Sequence, residues 1–242
     1  SVKLLPNDRG RFTAQAVRNA YSDPYNPHLA RTRLVNIENT SNRGGGALWD
    51  LAEVKRIRST CDEFGLGLHL DGARIFNALV ATGASANEWG SPFDSVSICL
   101  SKSLGAPVGS VLVGSKDFIQ EARRVRKRFG GGMRQAGIVA AAGLYALDHH
   151  VPRLTEDHVH AKMLAQALIP QPYIAHVMPV ESNIVVSTLR NPTELDALLL
   201  HLQQHAIHAM AFGPGMIRMV THLDVDGTGI AQAEEAIASF VP

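Results

Sequence analysis

Two short apolar runs, residues 96–100 and 110–113, bracket the polar turn Ser101-Lys102-Ser103-Leu104-Gly105. Apolar runs of this length bounded by Gly and Pro suit strands covered on both faces, so the chain reads as α/β with a buried, largely parallel sheet. The turn between them sets Lys102 at the mouth of that sheet. An amine that is partly desolvated there favours its neutral form and becomes a nucleophile. An ordinary lysine in an exposed loop is the alternative.

The rest of the chain repeats the strand–helix alternation. Residues 2–5 read as a short strand closed by the turn Pro6-Asn7-Asp8-Arg9-Gly10. Thr13 is placed to cap a helix over 14–21, and Ser22–Pro27 forms a loop that leaves His28 on an irregular segment. Strands are expected at 34–37 and 66–70, with a flexible run at Gly44-Gly45-Gly46. Asp50 caps a helix reaching about Glu63, with Leu51, Val54 and Ile57 on one face. Further helices are expected over 75–82, from about Lys116 to Phe129, and over 135–147. Ligands sit at the carboxyl edge of such a sheet, and His28, Asp71, Arg74 and Lys102 all fall in loops at or near it. After Pro152 come a helix (153–168), a strand (184–187), a helix after Pro192, a strand (216–220) and a last helix from about Thr228. The expected division is a large domain over 1–150 and a small α+β domain over 151–242.

A chain of 242 residues with 45% hydrophobic and 19% charged residues can bury a sizeable core. Its net charge of +1 gives no reason to expect a nucleic acid or an anionic membrane as partner. Cys61 and Cys99 are not in a Cys-x-x-Cys pair and read as buried free thiols of a reducing compartment. No leader-like segment opens the chain and no uncharged apolar run reaches membrane-spanning length, so a cytoplasmic location is expected.

Asp71 follows Leu-His-Leu directly, and a carboxylate at a buried strand end needs a cationic or hydrogen-bonding partner. A pyridinium nitrogen is one such partner, and a lysine on the next strand mouth can bond the same ring's aldehyde. Those are the requirements for pyridoxal phosphate, with Arg74 in reach of the ring oxygen. A structural Asp71–Arg74 ion pair with a bystander lysine satisfies the same spacing, which leaves both readings open.

Four stretches carry a more specific signal: H-L-D-G-A-R-I-F-N-A at 69–78, S-I-C-L-S-K-S-L-G-A-P-V-G-S at 97–110, G-G-G-M-R-Q-A-G at 130–137 and R-M-V-T-H-L-D at 218–224. Together, in this order, they resemble the low-specificity L-threonine aldolases of the β-eliminating lyase/threonine aldolase family. The resemblance implies an aspartate-aminotransferase-like fold (fold type I), pyridoxal phosphate, and a homo-oligomer, dimer or tetramer. It implies cleavage of L-threonine or L-allo-threonine to glycine and acetaldehyde. Lys102 matches the lysine that bonds the cofactor, Asp71 the partner of the ring nitrogen and Arg74 the partner of the ring oxygen. Arg218 matches the arginine that clamps the substrate carboxylate, and His28 the histidine near the substrate hydroxyl, a candidate base acting through water. Lys127 and Arg134 match basic residues on the substrate and cofactor sides of the pocket. Ser41 departs from the histidine of many relatives. Relatives also begin with a segment that supplies a phosphate-binding loop and a histidine stacked on the ring; neither is found here, so a piece of the enzyme is expected. β-Elimination or racemisation on the same scaffold, and a remnant without catalysis, are the rival readings.

Other signals have plainer readings. Residues 123–128 hold five basic residues in six, but on a helix these charges wrap around, which suits a solvated or interface-facing helix. Gly109–Gly114 with Ser115-Lys116 reverses the P-loop order and is rejected as a phosphate cradle. His201, His205 and His208 have helical metal-ligand spacing without a joining carboxylate, and read as surface residues, as do His149-His150 and His158-x-His160. Arg218 taken alone could equally be half of a buried ion pair.

Overall fold

The structure is a computed structural model describing residues 1–242. Its strands form two four-stranded sheets, each with its own core. The first sheet holds β1 (Leu34–Glu38), β2 (Gly67–Asp71), β3 (Ser95–Cys99) and β4 (Ser110–Gly114) in that spatial order. β1, β2 and β3 run parallel, and β4 is antiparallel to β3. The carboxyl ends of the three parallel strands therefore share one edge, as expected.

Local chemistry sets the elements around it. Thr13 accepts from the Ala16 N–H to start α1 (Ala14–Ala20), and Asp50 accepts from the Ala52 N–H to start α2 (Leu51–Phe64). Gly65 and Gly83, at φ 62° and 70°, end α2 and α3 (Ile75–Thr82) in the left-handed conformation that glycine adopts without steric cost. A five-residue helix, α4 (Ala86–Gly90), was not legible in the pattern. Ile37, Val54, Ile57, Leu68, Leu70 and Trp89 form the centre of this core.

The second sheet follows α5 (Lys116–Arg128), α6 (Gly137–His149) and α7 (Leu154–Leu168). It contains β5 (Ile174–Val177), β6 (Ile184–Leu189), β7 (Met210–Gly213) and β8 (Met216–Val220) in the order β5-β6-β8-β7, antiparallel throughout. α7, α8 (Leu195–Gln204) and α9 (Gly227–Ser239) pack Leu164, Leu198, Leu202 and Ile230 against β6 and β8. β5 and β7 went unread because each is a four-residue edge strand, β5 interrupted by His176 and β7 closed at once by Gly213-Pro214-Gly215.

Four expectations need correction. Residues 2–5 form no strand: they pair with no other strand, and Val2 and Leu4 are 89% and 87% exposed. β4 is a strand but not a buried one; it is an edge with all five residues exposed, because no strand pairs with its outer side and α5 buries no residue. Cys99, on β3 beside that open edge, is only partly buried, unlike Cys61. Gly44, Gly45 and Gly46 are buried rather than flexible. The Ser182 hydroxyl donates to the Gly46 carbonyl at 2.9 Å, and Gly46 sits at φ 77° where a Cβ would meet Ser182 Oγ at 2.2 Å. That contact, with the Arg9–Glu181 ion pair, fastens the second sheet to the first.

A fifth correction lies where α3 and α7 meet: His158, expected on the surface, is buried in a polar pair. Asn77 Nδ2 lies 3.2 Å from His158 Nε2. An amide nitrogen can only donate, so Nε2 accepts and the ring is neutral with its proton on Nδ1. Burial, and then the Lys162 charge, push the His158 imidazole down to about 4. The folded state thus resists a proton that the unfolded chain takes up near its ordinary pKa of about 6.5. The stability that comes from keeping this buried ring neutral is complete above that value and is lost as pH falls toward 4, on the order of 2 kcal/mol. Denaturant melts at pH 7 and pH 4.5 are expected to show the loss, and a His158→Asn variant to flatten it.

Candidate active site

The parallel register opposes Glu38 on β1 to Asp71 on β2, so two carboxylates stand side by side at the shared edge. The chain then turns tightly: the Gly72 N–H donates to the Ser97 carbonyl at 2.8 Å, where a Cβ would come within 2.9 Å of that oxygen. Asp71 Oδ1 accepts from the Ala73 N–H at 3.1 Å, and its second oxygen has no protein partner. Arg74 comes three residues later. No ion pair joins it to Asp71, which removes the structural-pair reading. Its Nε is buried without a partner. Burial and the like charge of Arg218 push its guanidinium pKa below the usual range, while Glu38 pulls it up.

Glu38 was missed in the sequence, where only the register of two strands yet to be paired could have found it. It is half-buried, and its carboxyl is pushed up by burial first and by the Asp71 charge. The Asn42 amide, Lys102 and Arg74 oppose that shift.

Lys102 sits in the turn after β3, its carbonyl accepting from the Gly105 N–H at 2.9 Å. Two residues on, the Leu104 carbonyl accepts a 2.6 Å bond from the His150 Nδ1–H. The Lys102 side chain is exposed and makes no hydrogen bond or ion pair, so the partial desolvation expected of it is absent. The reason is the open edge at β4, which leaves the turn uncovered on that side. A cleft of about 350 Å³ opens beside it, walled by Arg74, Lys102 and Ser103 from the first sheet and by Val220 and His222 from the second.

β8 aims Arg218. Ile217 and Met219 point into the core, and Met216, Arg218 and Val220 occupy the opposite face, the one whose Val220 lines the cleft. Arg218 Nη1 donates to Asn42 Oδ1 at 3.2 Å, and its guanidinium carbon lies 5.4 Å from the Phe212 ring centroid. Arg43 covers the same ring at 4.9 Å and donates to the Phe212 carbonyl at 3.2 Å. Burial and the Arg43 charge lower the Arg218 pKa, and its Nε is buried and unpaired. No carboxylate pairs with Arg218, so it is not half of a buried ion pair. Arg43, Arg74 and Arg218 are three guanidiniums without an acid partner, an arrangement that receives an anion. Neither Arg43 nor Phe212 was singled out from the sequence, since neither lies in a recognisable motif.

Other sequence candidates fall elsewhere. His28 is exposed on the loop between α1 and β1, its backbone N–H bonded to Asn26 Oδ1, and it does not line the cleft. Lys127 is exposed in the last turn of α5, and Arg134 is exposed between α5 and α6. His201 and His205 serve helix packing, with ring nitrogens bonded to the Ala236 and His201 carbonyls.

Residues 1–191 match the family model described as beta-eliminating lyase. A low specificity L-threonine aldolase of Escherichia coli is 43% identical over 218 residues, which cover 90% of this chain and 63% of that protein. Low-specificity L-threonine aldolase 1 of Arabidopsis thaliana is 39% identical over 225 residues, covering 91% of this chain and 63% of its own length. The chain thus spans less than two thirds of these curated relatives. In fold it is similar to a solved threonine aldolase of Leishmania major, with TM-score 0.82 and 22% identity over 96% of this chain and 68% of that one. The aspartate-aminotransferase-like fold expected from the four motifs therefore holds. With a family model matched over 191 of its residues, the chain belongs to the beta-eliminating lyase family.

Proposed function

We propose that this chain carries the reaction centre of a pyridoxal-phosphate-dependent lyase that cleaves L-threonine or L-allo-threonine to glycine and acetaldehyde. One observation supports the reading above the others. The free amine of Lys102 and the acid-free guanidinium of Arg74 wall the cleft between the two sheets, Asp71 keeps an open carboxylate oxygen three residues before Arg74, and Arg218 shares a strand face with Val220, which also walls the cleft. The residues fit the cofactor: Lys102 for its aldehyde carbon, the open oxygen of Asp71 for its ring nitrogen, and Arg74 for its ring oxygen. When bound, pyridoxal phosphate supplies an electron sink for the charge left at Cα by carbon–carbon cleavage.

The chain's own residues do the rest. Asp71 holds a proton on the ring nitrogen through its free oxygen. Arg218, braced by Asn42 and Phe212, binds the substrate carboxylate and so fixes which bond at Cα is presented for cleavage. The β-hydroxyl must lose its proton as that bond breaks, and we assign the acceptor to His28 acting through water, on the motif match. Lys127 and Arg134 are assigned supporting roles on the same ground. A large domain over 1–150 and a small one over 151–242 are proposed from the two separate cores. A homo-oligomer is proposed from the apolar side chains left exposed on α5, α6 and their flanks, among them Phe129, Ile138 and Leu144. No helix is long and apolar enough to cross a membrane, and a cytoplasmic location is proposed.

The test is a product assay on the cofactor-loaded protein with L-threonine and L-allo-threonine. Acetaldehyde and glycine are expected in equal amounts. Release of ammonia with a 2-oxo acid, or return of epimerised threonine alone, would overturn the aldolase reading in favour of elimination or racemisation.

A further inference from the structure

We infer that Ser103 is a further binding residue of the cleft, a hydrogen-bond donor to the substrate carboxylate whose direction is set by the buried amide of Asn183. This rests on the activity proposed above and adds a residue to its substrate contacts.

Asn183 is fully buried just before β6. Its Nδ2 lies 2.7 Å from the Thr221 carbonyl oxygen and 3.2 Å from Ser103 Oγ. A carbonyl only accepts, so the amide group facing Thr221 is the NH2. The flipped amide would set two acceptors against each other at that distance. The same NH2 then donates its second hydrogen to Ser103. Ser103 Oγ is thereby an acceptor toward Asn183 and keeps its own hydrogen, for which no protein atom is an acceptor. The residue is only 5% exposed, and it is one of the residues that wall the cleft.

A buried hydroxyl hydrogen without an acceptor costs stability until something takes it. A free serine could turn to offer either a hydrogen or a lone pair. Asn183 removes that choice, so the cleft offers a hydrogen here and rewards a ligand atom that accepts one. The position points to which atom. Asn183 ties Ser103 to Thr221 at the end of β8, the strand that carries Arg218, and Thr221 Oγ1 in turn donates to the Asp157 carbonyl at 2.6 Å. Ser103 therefore stands where the Lys102 turn meets the end of β8, in the wall of the cleft that it shares with Arg74 and Lys102. Beside those two cations the expected acceptor is an anion, and a substrate carboxylate reaching toward Arg218, three residues before Thr221 on β8, can take a further bond from Ser103.

The experiment compares glycine, which has the carboxylate, with 2-aminoethanol, which lacks it. Both are titrated into the cofactor-loaded protein and followed through the change they cause in its visible absorption. Ser103→Ala is expected to weaken glycine roughly tenfold, the effect of one hydrogen bond to a charged group, and to leave 2-aminoethanol and cofactor affinity within about twofold. Asn183→Ala should weaken glycine in the wild-type background and have little further effect on glycine in the Ser103→Ala background, because it acts through Ser103. Unchanged glycine binding, equal loss of both ligands, or a loss confined to the cofactor would each overturn the inference while leaving the activity standing. No visible band in the unsubstituted protein would overturn the activity and the inference together.

Discussion

Lys102→Ala is expected to remove turnover of L-threonine by three orders of magnitude or more, and the visible band of the loaded protein with it. The effect should be this large because no other amine replaces it. Lys102 is the lysine among the residues that wall the cleft, and Lys127 lies exposed at the end of α5. The loss should be chemical and not structural. The Lys102 side chain makes no hydrogen bond or ion pair, and the turn is held by backbone bonds and by His150 through the Leu104 carbonyl. Melting temperatures of the variant and the parent should therefore agree within about a degree or two. Borohydride reduction of the loaded parent, followed by digestion and mass analysis, should put the cofactor's mass on the peptide containing residue 102. A modified peptide containing 127 instead, or a variant that keeps its band, would move the nucleophile elsewhere.

Arg218→Ala should raise KM for threonine about 100-fold with a smaller fall in kcat, the signature of a lost two-pronged carboxylate contact. The site is built around this guanidinium. Asn42 takes one of its hydrogens, the Phe212 ring lies under it, and Arg43 and Arg74 keep their own charges nearby without neutralising it. Removing one of three like charges also relieves repulsion among the others, so stability should hold or rise slightly. Arg218→Lys separates charge from shape: it preserves the cation but not the fork, and is expected to recover less than a tenth of the affinity. Steady-state kinetics of the three proteins decide the matter. A KM unchanged in the alanine variant would place the carboxylate contact on another residue.

Much of this site could be read from the chain because its parts are local. Asp71 and Arg74 lie three residues apart after a strand, and Lys102 lies in the turn between two strands. Neither placement depends on how the sheets pack. Glu38 depends on register, Phe212 and Arg43 on two segments far apart in sequence meeting over one ring, and Asn183 on a contact across 80 residues. No spacing rule carries such contacts. The misread β4 has a related cause. An apolar run reports that a strand tolerates cover, not that cover is present, and Val111, Leu112 and Val113 are the same side chains whether or not something lies over them. The three glycines at 44–46 were misread the other way. Glycine permits motion, but here its lack of a side chain lets the second sheet close against the first.

The alternation along β8 limits how this protein can diverge. One added or deleted residue between Gly215 and Arg218 would rotate everything after it by half a turn, sending the guanidinium into the core beside Ile230 and Leu198 and bringing Ile217 or Met219 to the cleft. Changes in length there could survive only in pairs, or if the Gly213–Met216 bend absorbed them. The exposed loop between α1 and β1 carries no such parity. Lineages of this chain should therefore keep the spacing from Met216 to Val220 fixed, even where every side chain but Arg218 is replaced.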